Sequence, residues 1–194
     1  WGVKHDWMKS RFKDEKIMGK KGFTVARWYE GVLMDKKELG QDVNVHAAFY
    51  WGHSCNSQSQ MDRVKKALDK VDLLVDIDPF VTTTSILPDR KDGVYILPAA
   101  TVYEQAGSVT NSNRDIQWRN QVVKPVWESR KDLDIVIDLA DRLGFGKEYK
   151  KSRNGPWKQL PEDITREWNL GMRTIGMTGQ TVERMKRQQE WGHA

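Results

Sequence analysis

The chain has 194 residues, a formal charge of +5 and an isoelectric point near 9.2, enough for one ordinary domain with extensions and a core of useful size. No apolar run approaches the roughly 20 residues of a membrane-spanning helix, and the first residues lack the n- and h-regions of a signal peptide, so no direct membrane span is expected. A single cysteine, Cys55, excludes an internal disulfide and any Cys-rich metal or iron–sulfur motif within these residues. The positive excess sits early, at Lys4, Lys9, Arg11, Lys13, Lys16, Lys20 and Lys21. Asp6, Asp14 and Glu15 interrupt it and no nucleic-acid motif accompanies it, so it reads as a solvated face and no nucleic-acid partner is expected. The first residue is Trp rather than Met, which points to a processed product or an excerpt of a longer polypeptide.

Residues 1–42 read as a basic arm and a short helix. Trp1 and Trp7 argue against full disorder of the arm. Over 24–34, Val25, Trp28, Tyr29, Val32 and Leu33 fit one apolar helical face, closed by Gly40. The segment 43–146 is built around a β-loop-α-β unit. Val45, Ala47, Ala48, Phe49 and Tyr50 make a strand that stops at Gly52. A polar loop follows, then a helix with Met61, Val64, Leu68 and Val71 on one face. Leu73, Leu74, Val75 and Ile77 then make an almost continuous apolar strand, as in a parallel sheet covered on both faces. Thr82, Thr83, Thr84 and Ser85 form a hydroxyl-rich loop that either starts a short helix or serves phosphate or ribose oxygens. Val94–Leu97 gives a third strand stopped by Pro98. Residues 99–125 show weak periodicity and read as irregular. A helix near Asp132 places Leu133, Val136, Ile137, Ala140 and Leu143 on one face and ends at Gly144. Residues 147–194 read as a linker and a helical extension, with helices starting at Pro161, carrying Ile164, Trp168 and Met172, and at Thr181. The fold class is α/β, a largely parallel sheet flanked by helices, with irregular and helical extensions.

In open α/β sheets, ligands sit beyond the carboxyl ends of the strands, so the Gly52–Gln60 and Asp78–Ser85 loops are expected side by side at one rim. Asp78 stands where a nucleotide-binding unit places its ribose acid, and equally where an Asp caps the turn into Pro79. The fingerprint G-x-G-x-x-G is absent, which disfavours an ordinary NAD site. His5, His46, His53 and His193 include no i, i+4 pair, and no metal site is expected from them. His53 and Cys55 lie in the candidate ligand loop. Without a placed base, Cys55 reads as a packed thiol rather than a nucleophile. The nine tryptophans read as packing residues or interface anchors.

The stretches LLVDIDPFVTTTS, DGVYILPAATVYEQAGSVTNSNRDIQWRNQVVKP and DLDIVIDLADRLGF together resemble the central part of the catalytic subunit of molybdenum- or tungsten-dependent formate dehydrogenases, which are bis-molybdopterin guanine dinucleotide oxidoreductases. NLGMRTIGMTGQTVERMKRQQEWG resembles the formate dehydrogenase branch in particular. The resemblance covers about residues 43–190. It implies a Rossmann-like domain holding one pyranopterin guanine dinucleotide with Mo or W, through Gly52, His53, Ser54, Gln58 and Asp78, with Thr82 nearby. It adds Glu104, Gly107, Asn111 and Arg114 as a fixed loop beside the cofactor. Where many relatives have Asn-Pro, this chain has Ser54-Cys55. The resemblance also implies an iron–sulfur cluster elsewhere in the enzyme, formate as substrate, and as partners the remainder of the large subunit and an iron–sulfur electron-transfer subunit. No catalytic or metal-binding residue of that family is recognisable here, so the segment alone is expected to be inactive. The location implied is periplasmic, otherwise cytoplasmic. Two other functions remain open at this stage: a freestanding nucleotide-binding module and a non-catalytic structural subunit.

Overall fold

The computed structural model describes residues 22–113, 115–149, 160–171 and 179–191. They fall into two compact units, one ending at Ala99 and the other beginning at Ala100. That division lies inside the 43–146 stretch read above as one segment.

In the first unit, a turn over residues 25–29 leads into the one-turn helix α1 (Glu30–Leu33), and α2 (Lys36–Leu39) ends at Gly40. The expected helix over 24–34 is thus mostly turn, built on bonds such as Arg27 N to Thr24 O and Glu30 N to Arg27 O. Tyr29 and Val32 are buried as expected, but Val25 is 61% exposed, because so short a helix does not bring it round to the same face. Three parallel strands follow, β1 (Ala47–Trp51), β2 (Leu73–Asp78) and β3 (Tyr95–Pro98), in the order β1-β2-β3. Between β1 and β2 lies α3 (Met61–Lys70). Val64, Ala67 and Leu68 of α3 are fully buried against Ala48 and Tyr50 of β1, Leu74 of β2, Val32 of α1 and Tyr29 just before it. Each side chain such as Leu68 or Leu74 contributes about 1.5–3 kcal/mol by leaving water, so this apolar face holds helix and sheet together. The central strand β2 is buried on both sides, through Leu74 and Asp76 and through Val75 and Ile77. Phe49 and Tyr95, the register partners of Val75 on β1 and β3, remain partly exposed. The fold is α/β with a parallel sheet flanked by helices.

The α3–β2 connection is closed from further along the chain. Past β2, α4 (Thr83–Ile86) leads to Arg90. The Arg90 guanidinium donates to the carbonyls of Leu68, Val71, Asp72 and Gly93, and Asp69 accepts from the backbone N–H of Asp89 at 2.8 Å. A cation here also suits the negative end of α3.

In the second unit, the expected irregular stretch contains a hairpin of β4 (Gly107–Thr110) and β5 (Ile116–Arg119). Its strands are four residues long and only Trp118 is fully buried, so too little alternation exists for period two to show in sequence. Asn111 Oδ1 accepts from the N–H groups of Asn113 and Asp115 and shapes the turn. Then come α5 (Asp132–Arg142), α6 (Gly146–Tyr149), α7 (Pro161–Gly171) and α8 (Val182–Trp191). α5 buries Ile135, Ile137 and Ala140, whereas Leu143 is 69% exposed at its end. α8 lays Val182 and Met185 on Trp118. Lys186 reaches over the Trp118 ring and pairs with Glu162 of α7 at 2.7 Å. Among the described side chains of α7 the buried positions are Thr165 and Asn169, not Ile164 and Trp168, because Thr165 meets the Ser108 hydroxyl of β4 and Asn169 donates to Gln180 O. Met172 lies outside the described residues.

Replacing Arg90 by Ala leaves those carbonyls without their donor while changing no apolar contact of the sheet. The expected loss is about 1–3 kcal/mol, since the hydrogen bonds are to a charged donor. Urea denaturation should show a lower midpoint with an unchanged slope.

Candidate functional site

The two loops expected at the rim do meet. β1 hands over to the first at Gly52, whose φ of +57° lies in the left-handed region and whose N–H still bonds Ile77 O; glycine is the residue that takes this turn without steric cost. A 3₁₀ turn over Cys55–Ser57 follows. The loop after β2 forms the short helix α4 with Thr82 as its cap. Cys55 N donates to Thr84 Oγ1 at 3.0 Å, a buried bond that joins the two loops.

Asp76, rather than Asp78, organises the second loop. Its carboxylate is fully buried near the end of β2; Oδ2 accepts from the hydroxyls of Thr82, at 2.6 Å, and Ser85. Thr82 Oγ1 accepts in turn from Thr84 N. The hydroxyl-rich run therefore starts a helix, and the hydroxyl hydrogens of Thr82 and Ser85 are spent on Asp76. At the rim, Asp78 Oδ1 accepts from Phe80 N at 3.2 Å, which is the turn-capping geometry, and its second oxygen is outside that bond.

On the β1 side, Gln58 draws two aromatic residues together. Its Oε1 accepts from Trp28 Nε1 at 2.9 Å and from the Tyr50 hydroxyl at 3.2 Å. Trp28 meets Tyr50 edge-on, and the His53 ring lies nearly parallel to Tyr50. Burial pushes the Tyr50 phenol up to about 12, against the smaller opposing effect of its bond to Gln58. These residues, with Phe23, Val25, Phe49 and Trp51, line a cleft of about 480 Å³ along the outer side of β1. Burial also raises the Cys55 thiol, which has no exposed surface; this is a packed cysteine rather than an activated nucleophile.

Six of the sequence-derived candidates, Gly52, His53, Ser54, Gln58, Asp78 and Thr82, thus belong to one unit. Glu104, Gly107 and Asn111 belong to the other, and Arg114 lies outside the described residues. Glu104 is buried and holds its own unit together, accepting from Thr101 N at 2.6 Å and Val126 N at 3.0 Å. The Thr101 N–H is the main reason its carboxyl lies below the usual range. Gly107 opens β4, and Asn111 is the turn residue described above. Sequence reasoning gave Trp28, Tyr50 and Asp76 no role at the site, and named Thr84 only within the hydroxyl-rich loop. Only the polarity of Asp76 within an apolar strand could have signalled one.

Comparison with known proteins identifies the family. Residues 25–142 match the molybdopterin oxidoreductase family, and the chain belongs to that family. Among curated relatives, putative formate dehydrogenases of Staphylococcus aureus strains USA300 and NCTC 8325 / PS 47 are each 30% identical over 152 residues, covering 76% of this chain. The aligned stretch is only 14% of the length of those relatives. Among solved structures, acetylene hydratase from Pelobacter acetylenicus superposes with a TM-score of 0.53 at 22% identity, over 77% of this chain and 20% of that one, which shows a shared fold. The family implies a molybdopterin carrying Mo or W. The rim fits the organic part of such a group: Ser54 Oγ is buried without a partner, and the Gln58 amide nitrogen keeps its hydrogens. Among the described residues no cluster of His, Cys, Asp and Glu is able to hold a metal ion, and no helix is long and apolar enough to cross a membrane.

Raised Cys55 and Tyr50 values carry a sign. A thiol or phenol that ionises less readily when folded favours unfolding once the unfolded group loses its proton. Stability should therefore be flat near neutrality, fall above about pH 8.5 as the unfolded thiol ionises, and fall further above about pH 10 with the unfolded phenol. Thermal denaturation between pH 7 and 11 reads this. Cys55 should also stay unreactive toward a thiol reagent until denaturant is added.

Proposed function

We propose that this chain is a cofactor-binding segment of a formate dehydrogenase large subunit, holding one molybdopterin guanine dinucleotide across the carboxyl ends of β1 and β2. The whole enzyme then oxidises formate to carbon dioxide at a Mo or W bis-pterin centre and passes electrons to iron–sulfur clusters. The observation that carries the site is the joining of the two rim loops by the Cys55–Thr84 bond, which supports one binding surface built from both strand ends. The identity to putative formate dehydrogenases supports the substrate. The bound group supplies the redox chemistry. This chain's residues bind and orient it: Gly52 leaves its backbone open to approach, Ser54 and Gln58 offer polar groups, Asp78 offers its free oxygen, and His53 and Thr82 flank them. The remaining partners in this proposal are the rest of the large subunit and an iron–sulfur subunit.

Asp78→Asn separates the two roles of that residue, because Asn keeps an acceptor for Phe80 N but loses the charge. Metal analysis of the purified full-length polypeptide, with quantification of guanine nucleotide released by acid, is expected to show Mo or W with the pterin. Asp78→Asn should lower that content several-fold, while Lys66→Ala on the solvent face of α3 leaves it unchanged. Equal cofactor content in both variants removes Asp78 from the site, and absence of Mo, W and pterin from the parent protein defeats the proposal.

A further inference from the structure

Among the described residues, the most exposed aromatic side chain is Trp127, in the loop between β5 and α5, where the whole indole faces solvent. Tyr103, Val122, Val123 and Val126 are exposed as well. Burying a tryptophan is one of the largest apolar gains a side chain can make, so leaving it in water calls for a reason. Backbone geometry sharpens the point. Val126 O accepts from Ser129 N at 3.0 Å, which makes residues 126–129 a β-turn with Trp127 at its second position. The φ there is +49°, the left-handed region that turns fill with Gly, Asn or Asp. For a bulky side chain this is strain, and strain persists only where the surroundings impose it.

Here they impose it through the residue just before. Val126 N donates to the buried Glu104 carboxylate at 3.0 Å, and Val126 O also accepts the Ser129 hydroxyl at 2.6 Å. Tyr103 O accepts from the N–H groups of Val122 and Val123 at 2.8 and 3.1 Å, and Gln121, itself held by Lys131, donates to Val123 O at 2.9 Å. Within 122–127 these bonds all use backbone atoms. The loop is held rigid, and the side chains of Val122, Val123, Val126 and Trp127 are left for another surface.

We propose that Trp127 is the anchor of an interdomain contact, and that its occupant is an apolar pocket on another domain of the same large polypeptide, outside these residues. The inference rests on the part of the cofactor reading that makes this chain a segment of a longer subunit. The aligned stretch is 14% of the length of the curated relatives, so a subunit of that kind carries far more chain than is needed to cover the loop. A second copy is a poorer occupant, because in a two-fold contact the same projecting tip meets itself and neither copy supplies the hollow. An anionic membrane surface is poorer too, since the charges of Lys124 and Glu128, both exposed, cancel within the loop. An apolar centre with charge kept to its rim is the composition of a protein contact, and a preorganised Trp is among its commonest anchors.

Hydroxyl-radical oxidation of the purified full-length large polypeptide, read residue by residue by mass spectrometry, tests this. Trp118, buried within its own unit, gives the protected reference, and the urea-unfolded protein gives the exposed one. Trp127 should be oxidised at least about 10-fold more slowly in the folded polypeptide than in the unfolded one, as expected of a side chain held in a desolvated pocket. Trp127→Gly keeps the turn, because glycine takes the positive φ at no steric cost, and removes only the anchor. In the full-length polypeptide it should raise the rate of proteolytic cleavage within 120–131 at least about 10-fold, whereas a Trp that served only its own turn would lose nothing by this change. Oxidation as fast as in urea, or cleavage unchanged by Trp127→Gly, overturns the proposal. Protection that appears only with the iron–sulfur subunit added, only at concentrations where the polypeptide self-associates, or only on anionic vesicles assigns another occupant and overturns it too. Full Mo or W and pterin content with an exposed Trp127 defeats the contact alone, and a protected Trp127 in a protein without metal or pterin defeats the cofactor reading alone.

Discussion

A carboxylate placed inside a sheet is costly unless it finds partners, and Asp76 finds two for its Oδ2 in the loop that follows its own strand, while its buried Oδ1 has none. By accepting the Thr82 and Ser85 hydroxyls it folds the chain back over the end of β2 and starts α4. That start aims Thr84 at Cys55 N and fixes the loop after β1. The Gln58 oxygen, with its two aromatic donors, is the far end of the same chain of constraints. The shape of the rim therefore depends on a group that presents no surface of its own to a ligand.

The parts of the structure set by periodic burial were legible beforehand. α3 could be read from Met61, Val64 and Leu68, and the doubly buried β2 from its apolar run, because in both the spacing of apolar residues is the physical cause of the element. The same logic misplaced Val25, where the helix is one turn long, and missed the β4–β5 hairpin, which is held by a turn residue and a few contacts from α7 and α8. Which hydroxyl pairs with which acceptor was not legible. Trp28 and Gln58 are 30 residues apart, and nothing local to either announces the bond.

The polar groups at the rim of the first unit and those of Glu104 and Asn111 in the second differ in how completely they are used. Glu104 and Asn111 have their carboxylate and amide oxygens committed to backbone N–H groups of their own unit, as buried polar groups generally are. At the rim of the first unit, Ser54 Oγ has no partner, and both bonds at the Gln58 amide end on its oxygen. Glu104 and Asn111 thus serve their own unit as scaffold, whereas Ser54 and Gln58 keep polar groups to offer a ligand.

The placement of Arg90 also bears on when the first unit is complete. The carbonyls it caps belong to Leu68, Val71 and Asp72, some twenty residues earlier in the chain. During synthesis, the C-terminal end of α3 and the entry into β2 emerge before their cap exists. β1, α3 and β2 thus hold together at first on apolar contact and the β1–β2 ladder, and the helix end is locked only once the segment leading into β3 has left the ribosome.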